Sequence, residues 1–134
     1  MLWDKLPSIG CFMVLRSYVL GFVTLLCLSL PAQAVELIMV ERQGCIYCIQ
    51  WKTKIGPIYP KTDAGKYAPL RMIDIADAPP EGVTFVRKIN FTPTFVLIED
   101  GQEIGRIEGY PGEDFFWGLL EMMLSAKTDF PGAS

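Results

Sequence analysis

The sequence predicts an α/β fold, with a mixed central sheet of about four strands flanked by helices on both faces. Three observations predict it. Short, nearly continuous apolar runs alternate with segments of helical character, the pattern of buried strands joined through helices. Asp100-Gly101 between two apolar runs signals a tight hairpin and hence an antiparallel pair. The last long segment places apolar residues at the spacing of an amphipathic helix.

Val35 to Arg42, VELIMVER, is the first strand, apolar enough to be buried on both faces. Gln43-Gly44 break it, and a helix is expected from Cys45 through Trp51 to about Ile55, where Gly56-Pro57 stop it. Tyr59 to Pro69 reads as loop or weak helix, and Leu70 to Ile75 as a second strand. Asp77 to Gly82, with Pro79-Pro80, is a turn that opens a short helix through about Ile89. Phe95 to Ile98 is the third strand, and Ile104 to Tyr110 returns antiparallel after the hairpin. In the closing helix Phe116, Leu119, Leu120, Met123 and Leu124 follow the i, i+3, i+4, i+7, i+8 pattern. Phe115, Trp117 and Met122 widen that face, so this helix is expected to be heavily buried.

Before the domain stands a leader. After Arg16 comes an apolar run of about 14 residues, then Pro31-Ala32-Gln33-Ala34, which has the small-x-small form of a signal-peptidase site. The reading is a signal peptide over 1–34, cleavage after Ala34, and export of a single domain over 35–134, to the periplasm or an equivalent compartment. A start at Met13 would give a tidier leader, since Asp4 and Pro7 suit an n-region poorly. The apolar run is shorter than the roughly 20 residues that span a bilayer. Leu26 before Cys27 does not suit lipid attachment.

Removing Lys5, Arg16 and Asp4 with the leader leaves 10 basic against 14 acidic side chains, a net charge of −4. That balance argues against nucleic-acid binding. Cys11 and Cys27 also leave, so Cys45 and Cys48 are the thiols of the remaining domain, in a compartment where disulfides persist. About 100 residues bury enough core to fold without staples, and an i,i+3 bridge closes too small a loop to add much stability.

Several chemistries use two cysteines three apart. Tetrahedral zinc needs four ligands, and the chain holds no histidine, so no metal site is expected. Haem attachment needs histidine after the second cysteine, where Ile49 stands. A thiol-based copper-handling or chaperone module stays open as an alternative, with Met39, Met72, Met122 and Met123 as soft ligands. So does a binding module with an incidental disulfide, reading partners through Tyr47, Phe91 and Tyr110. Thiol–disulfide exchange suits the placement best. Cys45 follows a strand and a glycine at the first turn of a helix, where unpaired N–H groups and the positive dipole end favour a thiolate. Its pKa is expected below the free value of roughly 8.5. Cys48 lies one turn on and deeper, so Cys45 attacks and Cys48 resolves the mixed disulfide. Independently, Phe91-Thr92-Pro93-Thr94 precedes a central strand, and a cis Thr92-Pro93 bond would account for a proline there.

A strand leading into Cys45-Ile46-Tyr47-Cys48, Thr92-Pro93-Thr94 before a buried strand, Asp100-Gly101 in a hairpin, Gly109, and a terminal amphipathic helix together resemble the thioredoxin superfamily over Glu36 to Leu124. Within it the chain is most similar to the small exported thioredoxin-like SoxS-type proteins associated with bacterial sulfur oxidation. The resemblance implies a thioredoxin-like fold and a thiol-disulfide oxidoreductase with catalytic Cys45 and Cys48. It implies that Thr92, Pro93, Ile46 and Tyr47 border the substrate, Thr92 by pairing with an extended peptide. The substrate would be a disulfide or mixed disulfide on a protein such as a sulfur carrier. No prosthetic cofactor is implied. Electrons would come from a membrane donor, and a monomer is expected because no chain is left for a dimerisation domain. The sequence departs from thioredoxin in three places. Gly44 replaces the tryptophan before the motif, Ile46-Tyr47 replace Gly-Pro within it, and Met39 replaces a buried aspartate that assists proton transfer. The motif also lacks the histidine of strong exported oxidants, which favours a reducing role. Trp51 and Trp117 read as core or rim, Arg87-Lys88 as a solvated face, and Asp74 as a weak candidate for proton transfer.

Overall fold

β1, Val35–Glu41, owes its central position to its side chains. Leu37 and Met39 face one side and Ile38 and Val40 the other, all essentially without solvent exposure. In the computed structural model, which describes residues 35–132, β1 is followed by α1, Ile46–Lys54, a 3₁₀ turn at Tyr59–Lys61 and α2, Asp63–Tyr67. Then come β2, Leu70–Asp74, β3, Thr94–Glu99, β4, Gln102–Glu108, and α3, Glu113–Lys127. The leader expected over 1–34, with Met13 and Ala34, lies outside the described residues.

The sheet order is β2-β1-β3-β4. β2 runs parallel to β1, whereas β3 runs antiparallel to it and β4 antiparallel to β3. The mixed four-stranded sheet is the one expected. β3 opens with Thr94 opposite Val40, at the end of the sheet where β1 and β2 finish. The Asp100-Gly101 hairpin forms with both residues at positive φ, 50° and 78°, the backbone of a two-residue type I′ turn.

One face of the sheet carries the main core. α1 and α3 lie on it, with Trp51, Phe95 and Phe116 in mutual contact at ring-centroid separations of 5.1, 5.5 and 4.9 Å. Trp117 stacks on Tyr59, whose hydroxyl donates to the Ala68 carbonyl at 2.7 Å. Burial pushes the Tyr59 phenol far up, so it stays protonated.

The second face differs from expectation. The helix predicted from Gly82 to about Ile89 does not form. Val83, Thr84, Val86 and Ile89 are β-branched and find better partners extended. The segment descends the sheet to Thr84, whose N–H donates to Gly101 O and whose carbonyl accepts from Glu103 N–H. It then returns to enter β3, setting Val83, Phe85 and Ile89 against Ile38, Val40, Val96 and Ile98.

A charge network holds this strap. Arg106 meets Glu103 through two hydrogen bonds of 2.6 and 2.7 Å, with both side chains about 95% buried. Alternation along a strand would put residues 103 and 106 on opposite faces, but a bulge opposite Leu97/Ile98 shifts the register between them. Glu103 also accepts the Val86 N–H, and Arg106 donates to the Arg87 carbonyl. Arg87 bridges onward to Glu108, so this residue of the expected solvated pair is a tether. Burial raises the Glu103 carboxyl, but the hydrogen bonds and charges of Arg106, Val86 and Arg87 outweigh it and hold the carboxyl below its usual range.

α3 is less covered than expected. Phe116, Leu120 and Leu124 are sealed in the core, whereas Phe115 and Met122 are exposed and Leu119 is partly so. One stripe of the helix, rather than most of its circumference, fits against the sheet.

Candidate active site

The site begins where β1 ends. Gly44 takes φ 77°, a left-handed turn that costs glycine least, and aims the chain into α1. Cys45 is the N-cap: its sulfur receives the Cys48 backbone N–H at 3.2 Å, and its carbonyl accepts from Ile49. The Cys45 and Cys48 Cα atoms are 5.2 Å apart and the sulfurs are joined as a disulfide. Cys45 is half-buried, and Cys48 is 1% exposed among core residues. Ile46 and Tyr47 stand out into solvent on the turn between them.

Across 47 residues the Cys45 sulfur faces the Thr92 carbonyl oxygen at 3.5 Å. The Thr92–Pro93 peptide is cis, Pro93 O accepts the Gly109 N–H at 2.7 Å, and Thr94 Oγ1 donates to Phe91 O. Beside them lies an open groove lined by Tyr47, Phe91, Thr92, Glu108, Gly109, Tyr110, Pro111 and Leu119. Burial, with the Glu113 charge added to it, pushes the Tyr110 phenol up, so the groove wall is a neutral aromatic.

All six residues singled out in the sequence, Cys45, Cys48, Ile46, Tyr47, Thr92 and Pro93, therefore belong to one locality. Asp74 does not join them. It lines a separate cavity with Asp77, Phe85 and Lys88 on the second face, and its carboxylate caps the Ala76 N–H. Trp51 is core. Its Nε1–H is a buried side-chain polar atom without a partner among the described residues. Met39, which stands where thioredoxin has its buried aspartate, is fully buried in the same core cluster as Cys48. Reading the sequence did not place Leu119, Pro111 or Glu108 at the groove, and the i, i+3, i+4 pattern had put Leu119 in the core. No three His, Cys, Asp or Glu side chains gather as a metal site among the described residues.

The sequence profile described as Thioredoxin-like domain matches residues 32–124. The chain belongs to the thioredoxin-like family. Among solved structures it is similar to the periplasmic thioredoxin SoxS from Paracoccus pantotrophus, in reduced form, at 46% sequence identity and a TM-score of 0.67. That match covers 68% of this chain and 96% of SoxS. No curated protein matches the chain. In a thioredoxin-like fold, a CxxC pair at the N-terminus of the helix after the first strand is the active-site position, and the protein is a thiol-disulfide oxidoreductase. Chemically, a half-exposed sulfur beside a free groove and a buried sulfur joined to it can pass between dithiol and disulfide without a prosthetic group.

Proposed function

We propose that this thioredoxin-like protein is exported after cleavage of residues 1–34 and works as a reductant, returning a disulfide or mixed disulfide on a partner protein to thiols. The observation that carries the reading is the asymmetric sulfur pair. Cys45 is half-exposed at a helix N-terminus, and Cys48 is sealed behind it. The Cys45 thiolate attacks a substrate sulfur and the other substrate sulfur leaves as a thiolate. Cys48, losing its proton, then attacks Cys45 and releases the second substrate thiol. Two electrons and two protons pass to the substrate, and the protein is left as the Cys45–Cys48 disulfide, to be reduced again by a donor at the membrane.

Thr92 and Pro93 frame the substrate segment, with Ile46 and Tyr47 lying against it. The likeness to a periplasmic thioredoxin supports export, and the resemblance of the sequence to SoxS-type proteins associated with sulfur oxidation is what suggests a sulfur-carrier protein as partner. The protein acts as a monomer. Equilibration in graded glutathione buffers, with the disulfide counted by alkylation and mass spectrometry, tests the direction. A potential near roughly −270 mV places it among reductants; one near roughly −120 mV makes it an oxidant and overturns the direction.

A further inference from the structure

Thr92 reaches Cys45 on a stretch of chain that has no regular structure of its own. From Val86 to Phe91 only Ile89 is buried, and Val86 and Phe91 are 73% and 62% exposed. Apolar packing therefore holds the approach to Thr92 at one point, and polar contacts must fix the rest.

Those contacts land on the end of β4. Beyond Thr92, the Pro93 carbonyl accepts the Gly109 N–H at 2.7 Å, and Thr94 pairs with Glu108 across the sheet. Ahead of it, the Arg106 guanidinium donates to the Arg87 carbonyl at 3.0 Å. The Arg87 guanidinium in turn donates to Glu108 Oε1 at 2.9 Å, and Arg106 reaches the same oxygen at 3.4 Å. Segment 87–94 is thus a loop with both feet on residues 106–109. Glu108 serves both, its carboxylate taking the first foot and its neighbour Gly109 the second. The Arg87–Glu108 pair is largely exposed, so water and salt screen it and it adds little to global stability. A local effect of breaking it can therefore be read apart from unfolding.

We infer that Arg87 is a positioning residue for thiol–disulfide exchange: through Glu108 it holds Thr92 at the height over Cys45 that an incoming extended peptide must meet. This rests on the reading of Thr92 as the backbone that pairs with substrate. With the ion pair broken, the loop samples positions in which Thr92 cannot receive the peptide. Apparent affinity then falls by the fraction of molecules whose loop is competent. A bound peptide orders the loop itself, so the maximal rate stays. Cys45 keeps the Cys48 N–H and its place at the start of α1, so its own reactivity stays too.

Two disulfides that release the same small thiol test it. One is hydroxyethyl disulfide, which has no peptide backbone; the other is a short extended peptide whose cysteine is joined to 2-mercaptoethanol. Reduced wild type, Arg87→Ala and Arg87→Lys are followed with each in single turnover. Arg87→Ala is expected to raise the half-saturating peptide concentration about threefold at an unchanged maximal rate, and to react with hydroxyethyl disulfide as wild type does. Arg87→Lys keeps the charge and is expected to restore wild-type saturation. Equal saturation of wild type and Arg87→Ala overturns the inference, as does a lysine variant no better than the alanine one. Equal slowing on both disulfides overturns it as well, because the effect would then lie on the sulfurs. The same peptide N-methylated at the residues flanking its cysteine checks the underlying reading, since its N–H groups there can no longer pair with Thr92. If wild type takes it as readily as the parent peptide, Thr92 is not the pairing site, and the positioning role falls with that reading.

Discussion

The Cys45 sulfur lies 3.5 Å from the Thr92 carbonyl oxygen and 3.2 Å from the Cys48 backbone nitrogen. The two contacts pull in opposite senses. A carbonyl accepts an S–H and so favours the thiol, whereas an N–H donor favours the thiolate. The Cys48 N–H belongs to the positive end of the α1 dipole, a charged-form preference that the neutral Thr92 carbonyl does not match.

The reduced protein should therefore present a reactive thiol at Cys45, alkylated by iodoacetamide at pH 7 faster than a free cysteine, and a Cys48→Ser variant should react at the same rate, assigning the reactivity to Cys45. Intact mass against time reads it directly. A rate at or below that of free cysteine would mean that Thr92 and burial dominate the donor and the dipole.

The unequal exposure of the two sulfurs makes the two serine variants unequal. Cys45→Ser should abolish turnover. Cys48→Ser should attack once and stall, leaving a mixed disulfide visible in the intact mass and released by dithiothreitol. Full turnover of a protein disulfide by Cys48→Ser would show that no internal disulfide forms during the reaction.

Much of this was legible because it is local. The buried run Val35 to Arg42, the cysteine spacing, Thr92-Pro93 and Asp100-Gly101 each carry their own turn or period chemistry. What was not legible depends on distant partners. Val83 to Ile89 stays extended because the Gly101 carbonyl and the Glu103 N–H wait beside Thr84, on a hairpin some 17 to 19 residues further along. The Glu103–Arg106 pair exists only because a bulge reverses the facing of one of them. Leu119 satisfies the core template by spacing, and only the docked angle of α3 turns it toward the groove.

That buried pair should dominate acid sensitivity. Glu103→Gln removes the charge opposite an almost fully buried Arg106 and should cost roughly 2–3 kcal/mol, less than the loss of an isolated buried pair because Glu108 still reaches Arg106. The Glu103 carboxyl is depressed in the folded protein, so its contribution is complete above the unfolded value of roughly 4.3 and disappears as pH falls through the folded one. Urea midpoints at pH 7 and pH 3 should differ less for Glu103→Gln than for wild type. An equal difference would place the acid sensitivity elsewhere.

The hairpin and α3 offer two glycines whose replacement should have opposite signs. Gly101 sits at φ 78°, and a Cβ there would meet the Gly82 carbonyl oxygen, while its own carbonyl receives the Thr84 N–H. Gly101→Ala must strain the turn and push the strap from β4 together, at roughly 2 kcal/mol. Gly118 lies mid-helix with open space around it, so Gly118→Ala removes only backbone freedom and should stabilise by about 0.5–1 kcal/mol. Urea unfolding of both variants, held oxidised so that the disulfide contributes equally, gives the comparison. If Gly101→Ala were neutral, the strap would not depend on the hairpin, and the second face of the sheet would be held by the Glu103–Arg106 network and the apolar contacts of Val83, Phe85 and Ile89 alone.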